Sequence, residues 1–158
     1  MGGSDDLVRL DTALLDLRRF AEVPSAARRG STLRHGGDRV EISTVLVVDA
    51  VARFDALGEC SIRNVAETLH VVPSTASRLV ERAARAGMLH RGQSTTDPRR
   101  TVLSLTAAGW RLQREAVAFR TARLDALLSD WSAADVITFT CLLERFARCA
   151  HPPTEETP

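Results

Sequence analysis

Residues 60–106 read CSIRNVAETLHVVPSTASRLVERAARAGMLHRGQSTTDPRRTVLSLT, and the order of patterns in this stretch decides the fold. Ser61 is placed to cap a short helix over Ile62–Leu69, in which Ile62, Val65, Ala66 and Leu69 share one face. His70, Val71 and Val72 then leave room for a tight turn. Pro73 suits the first position of a second helix reaching Ala86, and Gly87 stops it. Met88–Arg91 and Thr101–Leu105 predict two short strands around a polar, basic tip from Gly92 to Arg100. Helix, turn, helix and β-hairpin in that order make a winged helix-turn-helix. In that motif the second helix enters the major groove of DNA.

Charge and faces test this reading. Residues 60–106 carry seven arginines against three acidic residues, a net +4, and the rest of the chain carries fourteen against seventeen, a net −3. The overall charge of +1 therefore hides a basic segment joined to acidic helices, as DNA binding requires. On the second helix Ala76, Leu79, Val80 and Ala83 cluster on one side, and Ser74, Ser77, Arg78, Glu81, Arg82 and Arg85 take the other, with Thr75 at the margin. Pro73 and the small hydroxyl residues after it let the helix start approach a groove. Their hydroxyls suit base edges or phosphates, and arginine forks suit guanine or phosphate. A solvated surface helix would more often carry Glu, Lys and Gln on that face.

At the hairpin tip, Thr95, Thr96, Asp97, Arg99 and Arg100 are further candidate DNA contacts. A narrow minor groove concentrates negative potential and attracts an arginine probe. Asp97, two residues before Arg99, is spaced to orient its guanidinium. The plainer reading of Asp97 is the closing residue of an Asx-turn.

The run Leu69–Arg82, then Gly87, Asp97-x-Arg99 and Leu103-x-Leu105-Thr106-x-x-Gly109, resembles the MarR family of bacterial transcription regulators, without gaps from about Cys60 to Gly109. The resemblance implies a homodimer, held by intertwined terminal helices, that binds a palindromic operator on double-stranded DNA and usually represses. It also implies relief by a small, often phenolic or aromatic ligand seated between the dimer helices and the winged domain, or by thiol oxidation. Three departures stand out. His70 replaces a usual glycine at a turn that calls for a left-handed backbone. Val72 replaces a usual Ser or Asp cap. The absence of tyrosine removes the phenolic partners that peroxide-sensing members place beside a reactive cysteine.

Outward from this core, Leu7, Leu10, Leu14 and Leu17 form the seam of an amphipathic helix over Leu7–Ala21. Glu22–Arg39, with Pro24, three glycines and four arginines, reads as a loop, its arginines solvated or touching phosphates. Val40–Leu57 reads as a helix with Val45, Val48, Val51 and Phe54 inward, apolar over more than half its circumference and hence buried on several sides. Thr106 is placed to cap a helix over 107–128. Ser132 with Asp135 resembles a capping box before a helix striped by Val136, Phe139, Leu142, Leu143 and Phe146. The expected class is mainly α with a small β-hairpin wing. Residues 1–39 form a dimerisation helix and loop, 40–106 the winged helix-turn-helix, 107–150 C-terminal dimerisation helices and 151–158 a flexible tail.

The 158 residues suit one domain with helical appendages, and 44% hydrophobic with 26% charged residues is ordinary soluble composition. No apolar run reaches a membrane span and the start lacks a secretory pattern, so the expectation is a cytoplasmic protein with no membrane partner. Cys60 reads as a small buried hydrophobe. Cys141 and Cys149 share roughly one face of the last helix, where an inter-subunit disulfide stays open. His35, His70, His90 and His151 lack a metal-ligand spacing, so no metal and no cofactor is expected beyond an unidentified small aromatic effector. Trp110 and Trp131 read as helix-packing anchors. No nucleophile motif, phosphate loop or carboxylate pair supports an enzyme. The alternatives are a winged helix used for protein assembly, against which the +4 segment speaks, and a redox- or metal-responsive sensor of the same fold.

Overall fold

The computed structural model describes residues 3–21, 32–35, 38–55, 57–97 and 100–150. The chain divides into two compact units, Met1–Ala116 and Val117–Pro158. The first contains α1 (Gly3–Ala21), β1 (Thr32–His35), β2 (Asp38–Glu41), α2 (Ile42–Ala52), α3 (Ile62–Leu69), α4 (Pro73–Arg85), β3 (Leu89–Gln93), β4 (Thr101–Leu105) and the start of α5 (Ala107–Leu127). The second holds the remainder of α5 and α6 (Ala133–Ala150).

Helix α2 is the pillar of the first unit. Its valines are poor helix formers, so packing rather than propensity holds it helical. Val47, Ala50 and Val51 join Cys60, Val65, Ala66, Ala76, Val80, Ala83, Leu89 and Leu103 in one core. Val45 and Val48 join Val40, Met88, Leu112 and Ala116 in another. The burial on several sides expected of this helix is thus present, with Phe54 half-buried.

Two expectations need correction. The segment read as a loop to Arg39 contains β1, which pairs antiparallel with β2 from Thr32↔Glu41 to His35↔Asp38. That register leaves only Gly36-Gly37 between the strands, a spacing typical of two-residue hairpins. The short strands carry too little apolar alternation to stand out beside the arginines. For the same reason α2 starts at Ile42 rather than Val40: Val40 is spent on the ladder opposite Leu33. The helix also stops at Ala52, short of Leu57, and turns lead to Gly58 at φ 124°. Residues 22–31 lie outside the described residues.

The helix-turn-helix follows its local chemistry closely. Ser61 and Asn64 form a reciprocal capping box: Asn64 N–H donates to Ser61 Oγ (3.3 Å) and Ser61 N–H donates to Asn64 Oδ1 (2.9 Å). Helix α3 ends at His70 in the left-handed region (φ 51°, ψ 45°), and Val71 N–H returns to the carbonyl of Ala66. Helix α4 starts at Pro73 behind Val72, which supplies no side-chain cap, as its identity implied. Ala76, Val80 and Ala83 are buried; their small side chains let α4 sit close to the other helices.

The wing pairs β3 with β4 from Leu89↔Leu105 to Gln93↔Thr101, so β3 runs two residues beyond the expected Arg91. Cys60 adds a third-strand bridge, Leu103 N–H donating to its carbonyl at 2.8 Å. Thr106 ties the wing to both neighbouring helices. Its hydroxyl donates to the Gly87 carbonyl (2.7 Å) and accepts from Gly109 N–H (3.0 Å), capping α5. Gly109 is required there, because a Cβ would lie 2.2 Å from the Met88 carbonyl oxygen.

In the second unit Ser132 accepts from Asp135 N–H at 3.1 Å and donates to its carboxylate at 2.6 Å, so α6 opens on the expected pair. Trp131 packs edge-on to Phe139 with centroids 5.3 Å apart. None of the described helices is long and apolar enough to cross a membrane.

Candidate nucleic-acid interface

The exposed face of α4 carries Pro73, Ser74, Thr75, Ser77, Arg78 and Arg82 together, with Ala76 beneath them in the core. Its three outward arginines are not equivalent. Arg85 pairs with Glu81 one turn back. Arg82 Nη1 lies 2.5 Å from Glu41 Oε2 at the end of β2, and the same oxygen accepts from Ser43 Oγ at 3.1 Å. The Arg82 guanidinium, and then the Ser43 hydroxyl, hold the Glu41 carboxyl below the usual carboxylate range. Among the described residues no acidic side chain forms an ion pair with Arg78. Arg78 is thus the outward arginine of α4 most available to a ligand.

At the wing tip Thr95, Thr96, Asp97 and Arg100 are exposed. Ser94 is buried beneath them, and its hydroxyl accepts from the backbone N–H of Thr96 and of Asp97, both at 3.1 Å. Ser94 N–H reaches the Arg100 carbonyl and Arg100 N–H reaches the Asp97 carbonyl, both at 2.9 Å. Glu59 grips the tip from outside: one carboxylate oxygen accepts Thr95 N–H (2.9 Å) and the Thr95 hydroxyl (3.0 Å). The Ser94 hydroxyl, then Thr95 N–H, keep the Glu59 carboxyl below its ordinary range. Arg99, and with it the expected Asp97–Arg99 orientation, lies outside the described residues.

Glu41 and Glu59 are the two residues that sequence reading missed. Each partners a group 36 or more positions away, and neither carries a local motif that marks it. Cys60 is buried, and that burial pushes its thiol up to about 11, which keeps it protonated and unreactive at neutral pH. Cys141 and Cys149 are exposed on α6. Among the described residues no three His, Cys, Asp or Glu side chains cluster as metal ligands. Trp110, expected to be a packing anchor, is half-buried and lines a cleft behind the wing.

The nearest comparisons are structural. A solved MarR family transcription regulator superposes with a TM-score of 0.70 at 21% identity, covering 95% of this chain and 96% of its own. The fold is that of the MarR regulators. FabT of Streptococcus pneumoniae, solved in complex with DNA, matches this MarR-type fold at 0.68 and 19% identity over 91% of this chain and 96% of its own. CouR of Rhodococcus jostii RHA1, solved with p-coumaroyl-CoA, matches at 0.58 and 21% identity over 74% and 78%. No protein-family model and no curated protein matches the sequence. In this fold α4 is the second helix of the helix-turn-helix and β3–β4 the hairpin that follows it.

Proposed function

We propose that the protein is a sequence-specific DNA-binding transcription regulator of the MarR family, acting without catalysis in the cytoplasm. The observation that carries this reading is α4: a helix start without a side-chain cap, hydroxyls at Ser74, Thr75 and Ser77, and Arg78 outside the ion pairs that hold Arg82 and Arg85. Uncapped N–H groups at a helix start favour a phosphate, and the side chains beside them suit base edges. FabT, of like fold, is solved on DNA, which supports the same use here.

The active form in this reading is a two-fold homodimer. Leu7 on α1 is 66% exposed and Ile137 on α6 is 65% exposed, and both helices carry further uncovered leucines or phenylalanines. Solvent-facing apolar stripes of this extent mark association surfaces. Two recognition helices then meet successive major grooves of a palindromic operator about 34 Å apart. Repression relieved by a small-molecule effector follows the resemblance, and CouR, of like fold and solved with p-coumaroyl-CoA, supports it. Selection of bound fragments from random DNA, followed by sedimentation of the free protein, tests the reading. A palindromic consensus and a dimer are expected. A monomer at micromolar concentration, or no enrichment of any sequence, overturns it.

A further inference from the structure

Behind the wing lies a cleft of about 310 Å³, formed within the first unit alone. Val51 from the end of α2, Phe54 from the turn after it, Val102 from β4 and Trp110 from α5 supply apolar and aromatic wall, and Asp55 and Glu59 are its acidic residues. Among the described residues no arginine or histidine lines it, although Arg100 acts on Glu59 by its charge. The volume stands at the small end of small-molecule sites, roughly 300–1,000 Å³. The sign of the lining charge repels a phenolate or a carboxylate, the ligand chemistry that the family resemblance suggests. A tryptophan together with two acidic residues instead favours a cation.

Glu59 has a second task. Glu59, a residue of the cleft lining, is also the acceptor for the backbone and hydroxyl of Thr95 at the wing tip. The next residue, Cys60, holds β4 through Leu103 N–H. The cleft and the wing thus share one residue, Glu59.

We propose that the cleft binds a small protonated amine with an aromatic or aliphatic body, and that the bound ammonium draws Glu59 from Thr95 and loosens the wing. The second half rests on the DNA-binding reading; the first does not. Both Thr95 bonds land on one Glu59 oxygen, so an ammonium that engages this carboxylate competes with them for its charge.

Phenethylamine and phenylacetate, with the same ring and opposite charge, test this in the full chain carrying Trp131→Phe, which leaves Trp110 as the sole indole. At neutral pH phenethylamine shifts Trp110 emission saturably, and phenylacetate does not. Glu59→Gln weakens amine binding by about fivefold or more, the loss of one charge-assisted contact. Asp55→Asn, at an exposed position, moves it in the same direction and serves if Glu59→Gln fails to fold. On operator DNA, saturating amine weakens binding of the parent chain and leaves Glu59→Gln unaffected. Equal binding of the anion, or no response of Trp110 to the amine, overturns the site. Unchanged operator affinity with the cleft saturated overturns the link to the wing. Failure to bind any DNA removes the regulator reading and the link together, while the amine titration still decides the cleft.

Discussion

Helix α4 and the wing are both anchored by one carboxylate from outside themselves, yet they are built in opposite ways. Helix α4 presents an uncapped start and one arginine outside the acidic pairs. The described amides of the wing tip are instead satisfied, those of Thr96 and Asp97 by the buried Ser94 hydroxyl, that of Arg100 by the Asp97 carbonyl and that of Thr95 by Glu59. An element that reads base edges needs donors left open until DNA arrives. An element that probes a groove needs a fixed shape, because a floppy loop would lose ordering entropy on binding. In the proposed DNA-binding reading, the difference gives sequence discrimination to α4 and added affinity to the wing.

The strongest way to break that assignment is Arg78→Ala. If Arg78 reads a base, operator binding falls by ~1–3 kcal/mol and preference relaxes at one position per half-site. An equal loss on operator and random DNA in a titration would move base reading to Ser74, Thr75 or Ser77. Arg99→Ala is expected to act next most strongly and differently: it weakens binding most on A·T-flanked sites while leaving the half-site consensus unchanged. Competition between flank variants measures this, and an altered consensus would reverse the division between helix and wing.

Glu41→Gln has a smaller effect of opposite sign. It releases Arg82 from its ion pair, so DNA affinity rises modestly at low salt. The slope of log K against log salt steepens by up to ~0.9 if Arg82 gains one phosphate. A flatter slope would mean that Glu41 aims Arg82 rather than restraining it. The smallest effect is on pH dependence. The folded carboxyls of Glu41 and Glu59 titrate below their ordinary value of 4.5. Their contributions are therefore complete above that value and are lost as pH falls through the lowered ones. Glu59→Gln flattens the acid limb of wing stability, read by amide signals of Thr95 and Thr96. An unchanged limb would remove Glu59 from wing anchoring.

Legibility followed sequence distance. Helices α3 and α4 and strand β4 were readable because their caps, proline and apolar faces lie within a few residues of each other. His70 was expected at a left-handed turn because the resemblance puts it where a glycine is usual, and its φ is 51°. The hairpin β1–β2 was not, because four-residue strands rich in arginine offer almost no apolar alternation. Of the site, the DNA-facing side chains of α4 were legible as a face. Their neutralisation was not: the partners Glu41 and Arg82 meet only after α2 and α4 have packed. Trp110 looked like a packing anchor because a single aromatic at helical spacing does not reveal whether its outer edge meets protein or a void.

Helix α2 sends Val47, Ala50 and Val51 into the core shared with α4 and Val45 and Val48 into the core shared with Leu112 and Ala116 of α5. Neither core can open without stripping one flank of the same helix. The winged region therefore melts as one cooperative unit, with no independently opening segment between its two cores. In native-state amide hydrogen exchange the protons of Val47 and Val48 should be among the slowest. They should exchange only through global unfolding and share one free energy of opening with those of Val65 and Val80 across the first core and Leu112 across the second.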